Sequence, residues 1–168
     1  MPESCKLRSA STDDIAAVQR LADRVWRAHY PGIITVLQID YMLARGYATE
    51  ALRKFIEDER AGIELAEVAG ELAGFAAWCV LDAVREVKLD KLYIDPVHQR
   101  QGIGRALIER VAAHARALGA SGLVLNVNKH NTAAQRAYER NGFAIRQAVV
   151  VDIGGGFVMD DYVMARGL

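Results

Sequence analysis

The sequence has few cysteines, few prolines, no net charge and no long apolar run. Its 168 residues include two cysteines and three prolines, and 21 acidic residues balance 21 lysines and arginines. Two cysteines, Cys5 and Cys79, fit a reducing compartment better than a disulfide framework. A net charge of zero gives no global field that would attract nucleic acid or an anionic membrane.

The same absences bear on localisation and metal binding. No stretch approaches the ~18 apolar residues that a membrane-spanning helix needs. The opening segment MPESCKLRSASTDD lacks the apolar core of a signal peptide. We therefore expect a cytoplasmic protein with neither a membrane nor a nucleic acid as partner. The four histidines show no metal-ligand spacing, so we expect no metal.

What is present is the composition of an ordinary globular domain, which we expect to span residues 1–168. Helical periodicity dominates the first third of the chain and returns at 103–118 and 132–140. Seven strand-like segments surround these helices. They lie at 6–9, 62–68, 72–81, 85–94, 122–127, 143–153 and 157–165. The pattern predicts an α/β (α+β) domain whose sheet is mostly antiparallel, with at least one right-handed strand–helix–strand crossover.

The segment DPVHQRQGIGRAL (95–107) joins a predicted strand to a predicted helix. The start of a helix presents unpaired amides and a partial positive charge, and Gly102 and Gly104 would let an anion approach them closely. Arg100 and Arg105 add cationic donors. The segment is neither a dinucleotide fingerprint, because Leu107 replaces the third glycine, nor a P-loop. It predicts a pyrophosphate site, with an ordinary strand-to-helix turn and solvated charges as the alternative.

A second segment, NKHNTAAQRAYERNGF (128–143), carries two polar residues on one helix face. If Asn131 caps the helix, Tyr138 lies almost two turns further on, so both side chains point the same way, roughly 10 Å apart. Asn131 could bind an amide-rich ligand arm and Tyr138 could place a hydroxyl further along it. Taken alone, the residues could equally serve for capping and packing.

Together the two segments resemble the signature motifs of the GNAT superfamily of acyl-CoA-dependent N-acyltransferases. The motif Q/R-x-x-G-x-G/A is present as Gln99–Gly104, after the apolar strand end LYIDP (92–96). The later motif N-x6-Y-x3-G-F is present as Asn131, Tyr138, Gly142 and Phe143. The order of strands and helices is similar as well, and the resemblance covers at least residues 63–166.

The resemblance implies a single GNAT-like domain, a seven-stranded mixed sheet flanked by helices, and acetyl-CoA as the acyl donor. Amides from Gln101 to Ala106 would hold the pyrophosphate, and backbone at Leu92 and Ile94 would pair with the pantetheine arm. The Ile94 amide would stabilise the oxyanion, and Tyr138 would protonate the leaving thiolate. The implied cofactor-binding residues are Leu92, Tyr93, Ile94, Gln99, Arg100, Gln101, Gly102, Ile103, Gly104, Arg105, Ala106, Asn131 and Tyr138.

The base is a more open question, because a water molecule serves in many relatives. Asp90 lies two residues before Leu92, where some relatives carry a carboxylate, and is our candidate for base or acceptor anchor. It would share a sheet face with Lys88 and Leu92 unless a bulge intervenes. A solvated charge on the strand face is the alternative.

In this superfamily the first helices and the last hairpin wall the acceptor site. Here they contribute Trp26, His29, Tyr30, Asp160, Asp161 and Tyr162. Aromatic rings and carboxylates suit a cationic amine, and DDYVMARGL (160–168) resembles the spermine/spermidine acetyltransferase branch. Core packing of Trp26 and solvation of the acidic pair are the alternatives.

We therefore expect an N-acetyltransferase that acts on a primary amine of a small molecule, by direct attack in a ternary complex. A peptide or protein amine as acceptor and a non-catalytic CoA-binding module stay open as alternatives. The resemblance also implies a homodimer.

Overall fold

The computed structural model describes residues 1–2, 4–81 and 85–168. Within these residues, five helices and seven strands follow one another. They are β1 (Cys5–Ser9), α1 (Ile15–His29), α2 (Val36–Gly46), α3 (Thr49–Glu57), β2 (Ala61–Val68), β3 (Glu71–Leu81), β4 (Glu86–Ile94), α4 (Ile103–Ala117), β5 (Gly122–Asn128), α5 (Thr132–Arg140), β6 (Ala144–Gly154) and β7 (Phe157–Gly167). Short 3-10 turns at Thr12–Asp14 and Pro96–His98 precede α1 and α4.

All seven strands form one sheet in the order β1-β2-β3-β4-β5-β7-β6. The pair β4–β5 is parallel and the other strand pairs are antiparallel. Helix α4 supplies the crossover between β4 and β5. The predicted α/β class and the mostly antiparallel sheet are confirmed.

Each face of the sheet buries its own apolar cluster. On one face α4 packs with Leu107, Ile108 and Val111 against strand residues such as Leu125 and Met164. On the other, α1 to α3 pack around Trp26, Ile39, Leu52 and Phe75. Two buried layers hold the central strands rigidly between the helices.

Local signals in the sequence set the ends of several elements. The Thr35 hydroxyl accepts a hydrogen bond from the amide of Gln38 and caps α2, and Asn131 caps α5 in the same way. Gly142, with φ of +85°, follows α5 in the left-handed conformation that glycine adopts at no steric cost.

The central feature of the fold is a gap between β4 and β5. Their pairing covers only the start of both strands, from Glu86 opposite Gly122 to Lys88 opposite Val124. Beyond Lys88 the two parallel strands separate, while β4 remains paired with β3 as far as Ile94. The sheet therefore opens into a wedge on the side where both strands end.

A bulge in β4 changes which residues share a face. In the ladder with β3, Leu89 lies opposite Trp78 and Lys91 opposite Ala77, so Asp90 has no partner. Leu89 and Leu92 consequently both pack toward the α4 cluster. The bulge that the sequence leaves open for this strand is therefore present, and Lys88 and Leu92 do not share a face, because the extra residue reverses the alternation of side chains.

The β6–β7 hairpin packs against α2. The Tyr41 hydroxyl donates to the carbonyl of Ile153 at 2.7 Å, and the Tyr41 and Phe157 rings lie 5.2 Å apart. A Cβ on Gly155 would lie 2.7 Å from the Tyr41 ring, so this close approach requires glycine. Within the described residues, every helix is too short or too polar to cross a membrane.

Candidate active site

The wedge between β4 and β5 is part of a cleft of about 970 Å³ that continues toward α1, α2 and the β6–β7 hairpin. One end is lined by the loop before α4, including Gly102 and Gly104. The other end is lined by α1 residues and by Met159 and Asp161 of β7. The cleft thus runs from a helix N-terminus to an aromatic chamber.

The loop before α4 concentrates backbone amides at the first end of the cleft. Gly102 has φ of +82°, and Arg100, although not a glycine, has φ of +62°. Left-handed residues near a helix start turn successive N–H groups toward one point, which forms an anion-binding concavity. The amides of Ile103, Gly104 and Arg105 precede the first i→i−4 bond of α4, so they have no partner within the helix.

The structure changes one prediction for this loop. The Ala106 amide donates to the Gly102 carbonyl at 3.0 Å, so the prediction that it binds pyrophosphate is corrected. Gln101 donates through its side chain to the Val97 carbonyl at 3.3 Å, and Gln99 donates likewise to Ile94. Both glutamine side chains therefore stabilise the loop through hydrogen bonds to backbone carbonyls.

The exposed edge of β4 faces the wedge. The Asp95 amide donates to the Ala73 carbonyl of β3, so Asp95 belongs to a hydrogen-bonded position of that ladder. Alternation along an antiparallel pair then turns the N–H and C=O groups of Ile94 and Leu92 away from β3. Because β5 has separated at this level, the Leu92 groups and the Ile94 amide can pair with an extended ligand arm as an additional strand, while the Ile94 carbonyl already accepts from Gln99.

Asn131 and Tyr138 of α5 both line the same cleft, as the seven-residue spacing predicts. Asn131 is buried, and its Oδ1 accepts from the Ala134 amide at 3.3 Å and lies 3.0 Å from Nε2 of His29. The Tyr138 ring packs edge-on against Phe143. Burial, and secondarily the neighbouring Tyr30, raises the pKa of the Tyr138 hydroxyl, so that it keeps its proton at neutral pH.

An aromatic cluster forms the wall of the chamber on the α1 side. The Trp26 Nε1 donates to the hydroxyl of Tyr47 at 3.1 Å, and the Tyr30 and Tyr93 hydroxyls lie 3.2 Å apart. Trp26 is both a core residue and a wall of the cleft, while Tyr93 contributes its ring to this cluster. Burial raises the pKa of Tyr30, Tyr47 and Tyr93.

Asp90, the candidate base, is held between two cations. Its Oδ2 lies 2.6 Å from Nζ of Lys91, and its Oδ1 lies 3.1 Å from Nζ of Lys88. Burial by itself would raise the pKa of the Asp90 carboxyl, but the charges of Lys91 and Lys88 outweigh it and lower the pKa. The carboxylate is a correspondingly weak proton acceptor.

The acidic pair of β7 divides between the two faces of the sheet. Asp161 lines the cleft, whereas Asp160 forms an ion pair with Lys129 and is half exposed. Tyr162 packs against the α4 cluster, with Nζ of Lys129 5.8 Å from its ring centre. The predictions that Asp160 and Tyr162 wall the acceptor site are therefore corrected, because alternation along the strand turns them away from Asp161.

Comparison with known proteins agrees with this architecture. The model of the acetyltransferase (GNAT) family matches residues 22–143. The chain belongs to this family. An uncharacterised N-acetyltransferase of Mycobacterium tuberculosis is 31% identical over 156 residues, which is 93% of this chain and 97% of the relative. The PaiA N-acetyltransferase of Thermoplasma acidophilum, solved with coenzyme A, superposes with a TM-score of 0.83 over 98% of this chain and 99% of that one, at 21% identity.

A more local match is the bS18-alanine N-acetyltransferase of Escherichia coli, which is 41% identical over 75 residues, 44% of this chain and 49% of that protein. Its solved structure has a TM-score of 0.72 over 97% of this chain and 93% of that chain, at 25% identity. As a GNAT protein, the chain is an acetyltransferase of the acyltransferase class.

Sequence reasoning missed several residues of the GNAT cleft. Tyr47 and Lys91 line it, and Lys91 lies 5.3 Å from the centre of the Tyr47 ring. The alternating charges of KLDK (88–91) are a signal that could have pointed to the ion-paired state of Asp90. No pattern in the sequence marks Tyr47, Val151 or Ile153, because their place in the cleft depends on how α2 and the last hairpin pack.

Proposed function

We propose that this protein transfers an acetyl group from acetyl-CoA to a primary amine of a small molecule, by direct attack in a ternary complex. The observation that carries the proposal is the continuous cleft from the α4 amides, along the free edge of β4, to an aromatic chamber. Sites for a pyrophosphate, for the pantetheine arm and for an amine thus follow one another along the cleft. This order matches the order of these groups in a complex of acetyl-CoA with an acceptor amine.

The donor end fits CoA by its chemistry. The amides of Gly102 to Arg105, together with the guanidinium groups of Arg100 and Arg105, suit a pyrophosphate. The backbone of Leu92 and Ile94 suits the amides of the pantetheine arm, and Asn131 offers a further amide contact. The family relationship and the CoA complex of the Thermoplasma protein support the same donor.

The reaction requires a donor for the oxyanion, a proton for the leaving thiolate and a fixed orientation of the two reactants. The Ile94 amide, turned toward the wedge, would stabilise the oxyanion that forms when the amine attacks the thioester. Tyr138, whose hydroxyl keeps its proton at neutral pH, would give that proton to the leaving thiolate. Orientation of the two reactants in one cleft supplies much of the remaining acceleration. Asp90 could anchor the acceptor, but its two lysine partners oppose its use as a base.

The packing of the acceptor end favours a small amine over a peptide. The β6–β7 hairpin is fixed to α2 by hydrogen bonds from Tyr41 and Arg45 to the Ile153 carbonyl, at 2.7 and 2.5 Å. Val151, Ile153 and Met159 consequently line the cleft beside Met42. A polyamine would fit the aromatic rings and the carboxylate of this chamber. The match to a spermidine N-acetyltransferase chimera, at 21% identity, concerns the fold.

Turnover by the purified protein tests the proposal. Release of free CoA thiol is measured with acetyl-CoA and a panel of polyamines, aminoglycosides, amino acids and short peptides. We expect transfer to at least one small amine, and faster transfer than to any peptide. If the protein binds acetyl-CoA but acetylates no amine, it is a CoA-binding module. If it acetylates peptides faster than small amines, its acceptor is a peptide or protein amine.

Location and assembly remain predictions. We propose a cytoplasmic location, because two cysteines fit a reducing compartment better than a disulfide framework. The homodimer that the family resemblance implies is tested by light scattering on the purified chain.

A further inference from the structure

Asp161 is a buried carboxylate that lacks a full set of hydrogen-bond partners. The residue is 3% exposed, and its Oδ1 finds no donor among the residues that the structure describes. A buried polar atom without a partner destabilises a protein, and an ionised one does so more strongly. Such an atom in the wall of a cleft indicates a donor that arrives with a ligand.

The charged groups around Asp161 do not fill this role. Lys88 of β4 is bound to Asp90, and Lys129, which follows β5, is bound to Asp160. Further neighbours are Asp160 on the same strand, Tyr30 on α1 and Val149 on β6. On β5 they include Asn126 and Asn128, and Asn128 pairs directly with Asp161. Both nearby cations are therefore already paired with other carboxylates.

Together, these neighbours raise the pKa of the Asp161 carboxyl above that of an ordinary aspartate. Burial raises the pKa of the Asp161 carboxyl, and Asp160 raises it further, while a hydrogen bond from Asn126 and the charges of Lys88 and Lys129 act in the opposite direction. A carboxylate with a raised pKa is a stronger base than Asp90, whose pKa is lowered.

Asp161 is also connected to the reacting end of the cleft. The Tyr30 hydroxyl lies close enough to be affected by the Asp161 charge, and Tyr30 in turn raises the pKa of Tyr138. Trp26, Tyr30 and Met159 line the cleft with Asp161. Aromatic rings and a carboxylate in one cleft suit an alkylammonium group.

We propose that the free Oδ1 of Asp161 binds the ammonium group of the acceptor and takes its proton before the amine attacks the thioester. This inference rests on the proposed acetyltransferase function and makes the acceptor a cationic amine. An alkyl amine with a pKa of ~10.4 is almost fully protonated at neutral pH, so an acceptor for this proton is required.

The steps balance as follows. One N–H bond of the ammonium group breaks, its electron pair stays on nitrogen, and the proton moves to Asp161. The nitrogen then attacks the carbonyl carbon, and the C–S bond breaks as the amide forms. The thiolate takes a proton from Tyr138, and the second proton lost by nitrogen restores that hydroxyl. The proton on Asp161 is released to solvent.

The test compares two isosteric variants of adjacent residues. Asp161→Asn removes the charge but keeps an oxygen that can accept from Asn126, and Asp160→Asn removes a carboxylate on the opposite face of β7. For the best amine of the panel, kcat/KM is measured from about pH 6.5 to 9.5, over which the free-amine fraction rises by about a thousandfold. The Kd for acetyl-CoA and the Tm are measured alongside.

We expect Asp161→Asn to lower kcat/KM at neutral pH by about 10²–10³-fold, the contribution typical of a proton acceptor, with an unchanged Kd for acetyl-CoA. The deficit should shrink as the pH rises, because more of the amine is then already deprotonated. Asp160→Asn should stay within about twofold of the wild type, as expected for an exposed ion pair.

Two results would overturn the inference. If the wild type acetylates amines and Asp161→Asn has the same pH profile, Asp161 is not the proton acceptor, while the proposed function stands. If the wild type acetylates no amine, the proposed role of Asp161 and the proposed function are both wrong. Should Asp161→Asn not fold, Asp161→Ser removes the carboxylate with a smaller side chain and is subject to the same expectations.

Discussion

The imidazole of His29 joins α1 to the start of α5, since its Nε2 lies 3.0 Å from Oδ1 of Asn131. The same Asn131 oxygen accepts from the Ala134 amide and caps α5. One buried amide therefore connects α1 with the helix that carries Tyr138. A change on either side of this contact should affect a different reactant.

His29→Ala should raise the KM for the amine by about fivefold and leave the Kd for CoA unchanged, because one hydrogen bond at the acceptor wall is lost while the cap remains. Asn131→Ala should lower stability by ~1 kcal/mol through loss of the cap and should weaken CoA binding. Steady-state kinetics measures the KM for the amine, calorimetry measures the Kd for CoA, and urea unfolding measures the stability of each variant. Equal effects of both variants on CoA affinity would contradict this separation.

Gly102→Ala should weaken CoA binding by about tenfold and lower stability by ~1–2 kcal/mol, because an L-residue is strained at φ of +82° in the amide concavity. Gly70→Ala is the matched control, since Gly70 has φ of +85° in the β2–β3 turn, outside the cleft. The control should lose similar stability but keep its CoA affinity in a calorimetric titration. Weakened binding in both variants would exclude a local role for Gly102.

Tyr138→Phe should lower kcat by about 10²-fold or more, because it removes the proton for the thiolate while the ring can still pack against Phe143. The KM for acetyl-CoA should change little. Because burial raises the Tyr138 pKa, the wild-type rate should show no loss from tyrosine ionisation across an ordinary alkaline range. A variant with the wild-type kcat would rule out Tyr138 as the acid, and Tyr162→Phe controls for loss of a hydroxyl elsewhere.

The Asp14 carboxylate should make part of the free energy of unfolding dependent on pH. Hydrogen bonds from Arg8 lower its pKa to about 2, with burial opposing and Ser11 adding to the effect. A carboxyl with a lowered pKa in the folded state stabilises the protein above its unfolded pKa of ~3.9, and this contribution is lost as the pH falls toward the folded value.

We therefore expect Asp14→Asn to be less stable than the wild type by about 1 kcal/mol near neutral pH, a small value because Arg8 is half exposed. Urea unfolding at several pH values measures the difference, which should shrink between about pH 4 and pH 2. A difference that stays constant over this range would mean that capping geometry, rather than charge, is responsible.

The sequence predicted those parts of the fold and site that depend on local patterns. Period-two and helical patterns placed the seven strands and the main helices within a few residues of their bounds in the structure. Gly102 and Gly142 marked a helix start and a helix end because only a residue without a side chain adopts their backbone conformation freely. The spacing of Asn131 and Tyr138 placed both on one face of α5, and both line the cleft.

Other properties depend on contacts between distant segments. The bulge at Asp90 arises from the register between β3 and β4, which no single strand specifies, and it reverses the face of every residue after it. The opposite roles of Asp160 and Asp161 depend on which face of β7 meets the cleft. Their chemical difference follows from partners far away in sequence: Lys129 neutralises one carboxylate, and burial beside Tyr30 leaves the other short of a donor.

The sequence by itself therefore determined the element order, the amide-rich helix start and the family, because these reside in short segments whose conformation is set by their own residues. Only the tertiary structure decided where the sheet opens and which carboxylate faces the cleft. The physical reason is that pairing register, burial and the pKa of a buried acid are properties of neighbours in space. Those neighbours come from β3, β4, α1 and β7, which meet only in the folded chain.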